Sequence, residues 1–102
     1  MTTEQKIQYI AAHYGYESQS RQLIEELSEL IQAVCKHNRK FYGRMPLYSR
    51  ACPELDEIIE EMSDVTIMMC QIQHILGIGE GDLSHIMEQK LDRQIERIKN
   101  GR

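Results

Sequence analysis

The chain has 102 residues, enough for one small domain with a core that is marginal as a monomer, so residues 1–102 read as a single domain. Its 41% hydrophobic content excludes a disordered chain, and 16 acids against 12 bases, a net charge of −4, exclude a general nucleic-acid binder, which needs a basic surface. No apolar run approaches the ~20 residues needed to cross a membrane. Cys35, Cys52 and Cys70 are scattered, and "MTTEQKIQYI" holds no signal peptide, so a reduced, cytoplasmic protein is expected.

The periodicity predicts four helices and almost no strand, an all-α bundle. Thr2 or Thr3 caps the first helix, which carries Ile7, Ile10, Ala11 and Tyr14 at helical spacing and ends at Gly15. Ser18 or Ser20 caps the second, "RQLIEELSELIQAVCKH", whose stripe is Leu23, Leu27, Leu30 and Val34, widened by Ile24 and Ile31. A long connection follows, "NRKFYGRMPLYSRACP", broken by Gly43, Pro46 and Pro53. Pro53 suits the first turn of the third helix, which begins with the acid-rich "PELDEIIEEMSD". Gly77 and Gly79 stop that helix, and Asp82 caps the fourth, "DLSHIMEQKLDRQIERIKN".

From Val65 onward the third helix is apolar nearly all the way round. Four helices of one small chain do not readily bury such a helix. A partner subunit covering its other side is the simplest remedy, so an obligate homo-oligomer is expected, a homodimer or a tetramer.

Two pairs of acids sit against these apolar faces. On a wheel at ~100° per residue, Glu26 falls beside Leu30 at the edge of the stripe. Glu29 lies one step further round, with Ala33 between them, and Glu25 points to solvent. On the third helix Glu61 lies between Met68 and Ile72, and Asp64 is adjacent to Met68 and Ile75. If the two helices pack antiparallel, Glu26, Glu29, Glu61 and Asp64 converge. Like charges at 4 Å repel by about 4 kcal/mol at an effective dielectric near 20. Crowded carboxylates therefore need raised pKa values or cations between them. Hard divalent cations take oxygen ligands, and Mg²⁺ is commonly held by carboxylates together with substrate phosphates. The spacing thus predicts a Mg²⁺ site that also holds a phosphate-bearing ligand. The plainer alternative is a solvated helix face salt-bridged to Lys and Arg.

"EELSELIQA" followed by "EEMSDVTIMMCQI" resembles the MazG-type all-α nucleoside triphosphate pyrophosphohydrolases, whose signature is a Glu-x-x-Glu on one helix and a Glu-x-x-Asp on the next. Here these are Glu26, Glu29, Glu61 and Asp64. The resemblance covers roughly Ser20 to Ile98 and implies the MazG-type four-helix fold, dimers or tetramers with the site near the subunit interface, and a requirement for Mg²⁺, with Mn²⁺ a possible substitute. It also implies hydrolysis of a nucleoside triphosphate between the α and β phosphates. Thirty-one residues separate Glu29 from Glu61, more than the signature usually has, and the extra length falls in the basic connection.

One carboxylate, Glu29 or Glu26, is expected to orient or deprotonate the attacking water, leaving Glu61 and Asp64 as pure ligands. On the fourth helix Lys90 falls inside the apolar arc, flanked by Arg93 and Arg97, and these three are the candidates for binding the departing pyrophosphate. For Lys90 the alternative is a stem laid along the core edge with its ammonium in water. The connection carries Lys36, Arg39, Lys40, Arg44 and Arg50 among Phe41, Tyr42 and Tyr48, which suits either a lid over the nucleotide or a solvated loop pinned by its aromatics.

Cys70 and His74 are four apart on a helix but lack a second ligand pair, so they read as core packing, not half a zinc site. Gly77, Gly79 and Gly81 lack the Lys-Ser/Thr of a phosphate-binding loop. Two other readings stand beside the pyrophosphohydrolase. One is phosphoribosyl-ATP pyrophosphohydrolase activity on the same fold. The other is a catalytically idle helical dimer that binds nucleotide or a partner protein.

Overall fold

The computed structural model describes residues 1–41 and 54–101, and these form three helices with no strand among them. They are α1 (Thr3–Phe41), α2 (Leu55–Leu76) and α3 (Glu80–Lys99). The expected break at Gly15 is present: two helical segments, counted together as α1, meet there at a kink. That residue takes φ 80° and ψ 173°, a non-helical conformation essentially reserved for glycine, so the helix is interrupted there. The second segment starts just past Gly15, so Ser18 and Ser20 lie inside it and not at its cap; the Ser20 hydroxyl donates to the Glu17 carbonyl at 3.1 Å.

The true start of α1 is capped at Thr2. Its Oγ1 accepts the Gln5 N–H at 3.1 Å while its own N–H donates to Gln5 Oε1 at 2.9 Å, a reciprocal box that satisfies two end donors. At the other end α1 runs further than expected. Lys36, Arg39 and Lys40 ride on its last turns, where cations suit the carbonyl end. Lys36 pairs with Glu57 at 3.4 Å and Lys40 pairs with Glu54, which tie the end of α1 to the start of α2. The rest of the basic-aromatic connection, with Arg44, Tyr48, Arg50, Cys52 and Pro53, lies outside the described residues.

Gly77 closes α2 in the left-handed conformation, φ 67° and ψ 26°. Its N–H reaches the His74 carbonyl at 3.3 Å and the Ile78 N–H reaches that of Gln73 at 2.9 Å, so two orphan carbonyls are satisfied. The cap of α3 is Gly79, not Asp82. Asp82 stands three residues inside, and its carboxylate accepts the Gly79 N–H at 2.9 Å.

Helices α1 and α2 pack antiparallel, and α3 packs against neither. The buried apolar side chains are few: Ala11, Ala33, Val65 and Met68. Ala33 is only 1% exposed, so the two backbones approach closely there. Much of α2's apolar surface stays uncovered within one chain, including Ile59, Met62, Ile67 and Met69. On α3, Leu83, Ile86, Met87, Leu91, Ile95 and Ile98 form an exposed row at helical spacing. The chain exposes 8388 Å², whereas a monomeric protein of 12.0 kDa exposes about 6,000 Å². Its radius of gyration is 17.0 Å, against about 13 Å for a compact chain of this length. Among the described residues no helix is long and apolar enough to cross a membrane, and Cys35 and Cys70 are unpaired thiols.

Candidate metal centre

The seam between α1 and α2 is lined by residues spaced three and four apart, the spacing that keeps one helix face toward a neighbour. On α1 the row is Gln19, Gln22, Glu26, Glu29 and Ala33; on α2 it is Glu61, Asp64, Met68 and Gln71. The antiparallel packing fixed by the Lys36–Glu57 and Lys40–Glu54 pairs carries Glu61 to the level of Glu29. There one carboxylate oxygen from each of Glu26, Glu29 and Glu61 lies within 4.8 Å of the others. Among the described residues these three form the one group of acids, histidines or cysteines spaced to hold a metal ion.

Glu26 and Glu61 are half-buried. Glu26 Oε1 accepts a hydrogen bond from Gln22 Nε2 at 2.8 Å. Glu26 Oε2 and Glu61 Oε2 are buried with no amide, hydroxyl or cationic donor beside them, and only the neighbouring Glu29 carboxyl can donate to these two acids. An uncompensated buried carboxylate oxygen is costly, and two of them beside a third acid call for a cation or a proton. The proton settles on Glu29. Its carboxyl is pushed up to about 7, first by the charge of Glu26, then by burial and the charge of Glu61. Burial also raises Glu61; a hydrogen bond from protonated Glu29 works against this, and the charges of Asp64, Glu26 and Glu60 add to it.

Asp64, one turn along α2, is half-buried and stands apart from the three converging oxygens, although its charge reaches Glu61. Glu57, on the same flank, is taken by Lys36. Glu25 points away, exposed, as its wheel position requires. Lys90, Arg93 and Arg97 are exposed on α3, and none of the described ion pairs joins them to the acids of the same chain. Cys70 and His74 line a separate cavity of about 550 Å³ with Glu4, Gln73 and Glu80, and their donor atoms form no metal-sized group.

The sequence reading missed Gln19, Gln22 and Gln71. The signal was present, since the alternating three-and-four step that links Glu29 to Glu26 continues to Gln22 and Gln19. Gln19 and Gln71 are 5% and 2% exposed, so the polar row extends into the packed seam beyond the acids. Comparison with protein-family models, with curated proteins and with solved structures finds no match to this chain.

Proposed function

We propose that this chain is a Mg²⁺-dependent nucleoside triphosphate pyrophosphohydrolase of MazG-like type. It would cleave a ribo- or deoxyribonucleoside triphosphate to the monophosphate and pyrophosphate, a task of nucleotide-pool housekeeping in the cytoplasm. The observation that carries the reading is the meeting of three carboxylate oxygens, from Glu26, Glu29 and Glu61, across two helices. The donor set is all oxygen, two buried carboxylate oxygens of the group have no donor beyond Glu29, and Glu29 keeps its proton because of the neighbouring charges and burial. That is the chemistry that fits Mg²⁺, with Mn²⁺ as a substitute. Glu26, Glu29 and Glu61 would hold the ion, with Asp64 one turn away.

When bound, the ion supplies charge neutralisation at the phosphate oxygens and a lowered pKa for a bound water. The protein's own part is positioning and proton handling. Glu29 or Glu26 would orient the attacking water or take its proton; without metal the Glu29 carboxyl is pushed up to about 7. Lys90, Arg93 and Arg97 would neutralise the departing pyrophosphate, delivered by the α3 of a second copy. A homodimer or a tetramer would cover the apolar side chains that one chain leaves exposed. The apolar row on α3, from Leu83 to Ile98, supports this reading.

The test is product identity. Purified protein is incubated with a panel of triphosphates and Mg²⁺ or Mn²⁺, and phosphorus products are separated. Equal amounts of monophosphate and pyrophosphate are expected. Diphosphate with orthophosphate, or no turnover on any member, contradicts the reading.

A further inference from the structure

We propose that Gln22 is a positioning residue for the metal centre, holding Glu26 Oε1 so that Oε2 is the oxygen offered to the cation. The inference rests on the metal-centre reading above and adds a residue that the acid signature does not contain.

The geometry is specific. Gln22 lies one turn before Glu26 on α1, and its Nε2 donates to Glu26 Oε1 at 2.8 Å. The bond is partly buried, so water competes with it weakly. The remaining oxygen, Oε2, is buried with no donor beyond the Glu29 carboxyl. A glutamate has three rotatable bonds, and an unrestrained one samples several rotamers. Fixing one oxygen to a donor on the same helix leaves the other in one place. The donor's chemistry matters as well. A Lys or Arg at this position would pair with Glu26 and compete with the cation for its charge. A neutral amide steers the carboxylate without neutralising it. Ligands oriented by such partners typically lose about 10–100-fold in metal affinity when the partner is removed.

Gln19 is the natural control. It is a buried glutamine one turn further along the same row, but no hydrogen bond joins it to Glu26. The experiment is Mn²⁺ binding to the full chain, followed by the paramagnetic resonance signal of the free ion. It is run on the wild type, Gln22→Met, Gln22→Ala, Gln19→Met and Glu61→Gln, with helical circular dichroism recorded for each. The wild type is expected to bind Mn²⁺, and Glu61→Gln to bind little or none. Both Gln22 variants are expected to weaken binding about tenfold. Gln19→Met is expected to bind as the wild type does. Saturating Mg²⁺ restores turnover in Gln22→Met, because a positioning defect is overcome by mass action and a folding defect is not.

If Gln22→Met and Gln22→Ala bind Mn²⁺ like the wild type while Glu61→Gln does not, the role of Gln22 is overturned and the metal centre stands. An equal loss in Gln19→Met also overturns it, since the effect would then belong to the packed seam at large. A wild type that binds no Mn²⁺ overturns both.

Discussion

Glu29 keeps its proton to about pH 7 because Glu26 and Glu61 crowd it and water is partly excluded. A carboxyl with a folded pKa above its unfolded value holds an extra proton in the native state between those two values. Native proton uptake then exceeds that of the unfolded chain, so stability falls as pH rises through that window. The metal-free protein is thus expected to lose stability from about pH 4.5 up to about 7 and to lose no more from this group above that. Glu54 acts in the opposite sense. Its hydrogen bond to Lys40 lowers its pKa, so its contribution is complete above about 4.5 and lost as pH falls through the folded value. Thermal melts of metal-free protein should therefore be highest on the acid side of neutrality. Added Mg²⁺ should raise the melting temperature more at pH 8 than at pH 5, where it must displace the Glu29 proton. A melting curve that climbs steadily from pH 5 to 8 without metal contradicts this. Glu61→Gln, which removes one like charge, should melt higher than the wild type without metal and gain nothing from Mg²⁺.

At the scale of helices, two placements control the site. Gly15 bends α1 so that its first segment and its acid-bearing segment take different directions, in a conformation that an L side chain pays for. Gly15→Ala is expected to cost about 1–3 kcal/mol, measured by urea denaturation, although a Cβ there would meet nothing. Ala33, 1% exposed, lets the α1 and α2 backbones approach one turn from Glu29. Ala33→Met should cost about 1–3 kcal/mol by overpacking and should lower Mn²⁺ affinity as the acids are pushed apart. A variant of full stability and affinity would show that the seam is looser than its burial implies. The helical class was legible because Leu23, Leu27, Leu30 and Val34 repeat at helical spacing. The stop at Gly77 was legible from glycine chemistry, while Gly79 caps α3 and stops nothing; of the four acids expected to converge from wheel positions and an antiparallel assumption, Glu26, Glu29 and Glu61 meet and Asp64 stands apart. What failed was local. The break at Gly15 follows from glycine chemistry as well, whereas the cap at Ser18 or Ser20 does not, because the next segment begins directly after the glycine. The end of α1 was set too early because Lys36 and Lys40 read as loop cations, while their acidic partners on α2 were not in view. Asp82 reads as a cap in the sequence because a three-residue offset between capping side chain and capped amide looks alike in either direction.

For the whole molecule, the puzzle is a helix without a partner. Six apolar side chains of α3 stand exposed, and each is worth about 1.5–3 kcal/mol when fully buried. Under the proposed reading a second copy would cover this surface and would bring the cations of α3, which stand apart from the acids within one chain. Sedimentation at micromolar protein should show no monomer, and Leu91→Asp should produce monomer and abolish turnover together. The central claim, that acids from α1 and α2 form one divalent-cation site for splitting a triphosphate, is tested most directly by pyrophosphate release with Mg²⁺ from wild type and Glu61→Gln side by side. The expected result is Mg²⁺-dependent release by the wild type and a loss of about a hundredfold or more in the variant, its helical circular dichroism unchanged. Full turnover in Glu61→Gln, or none in the wild type, would contradict the account.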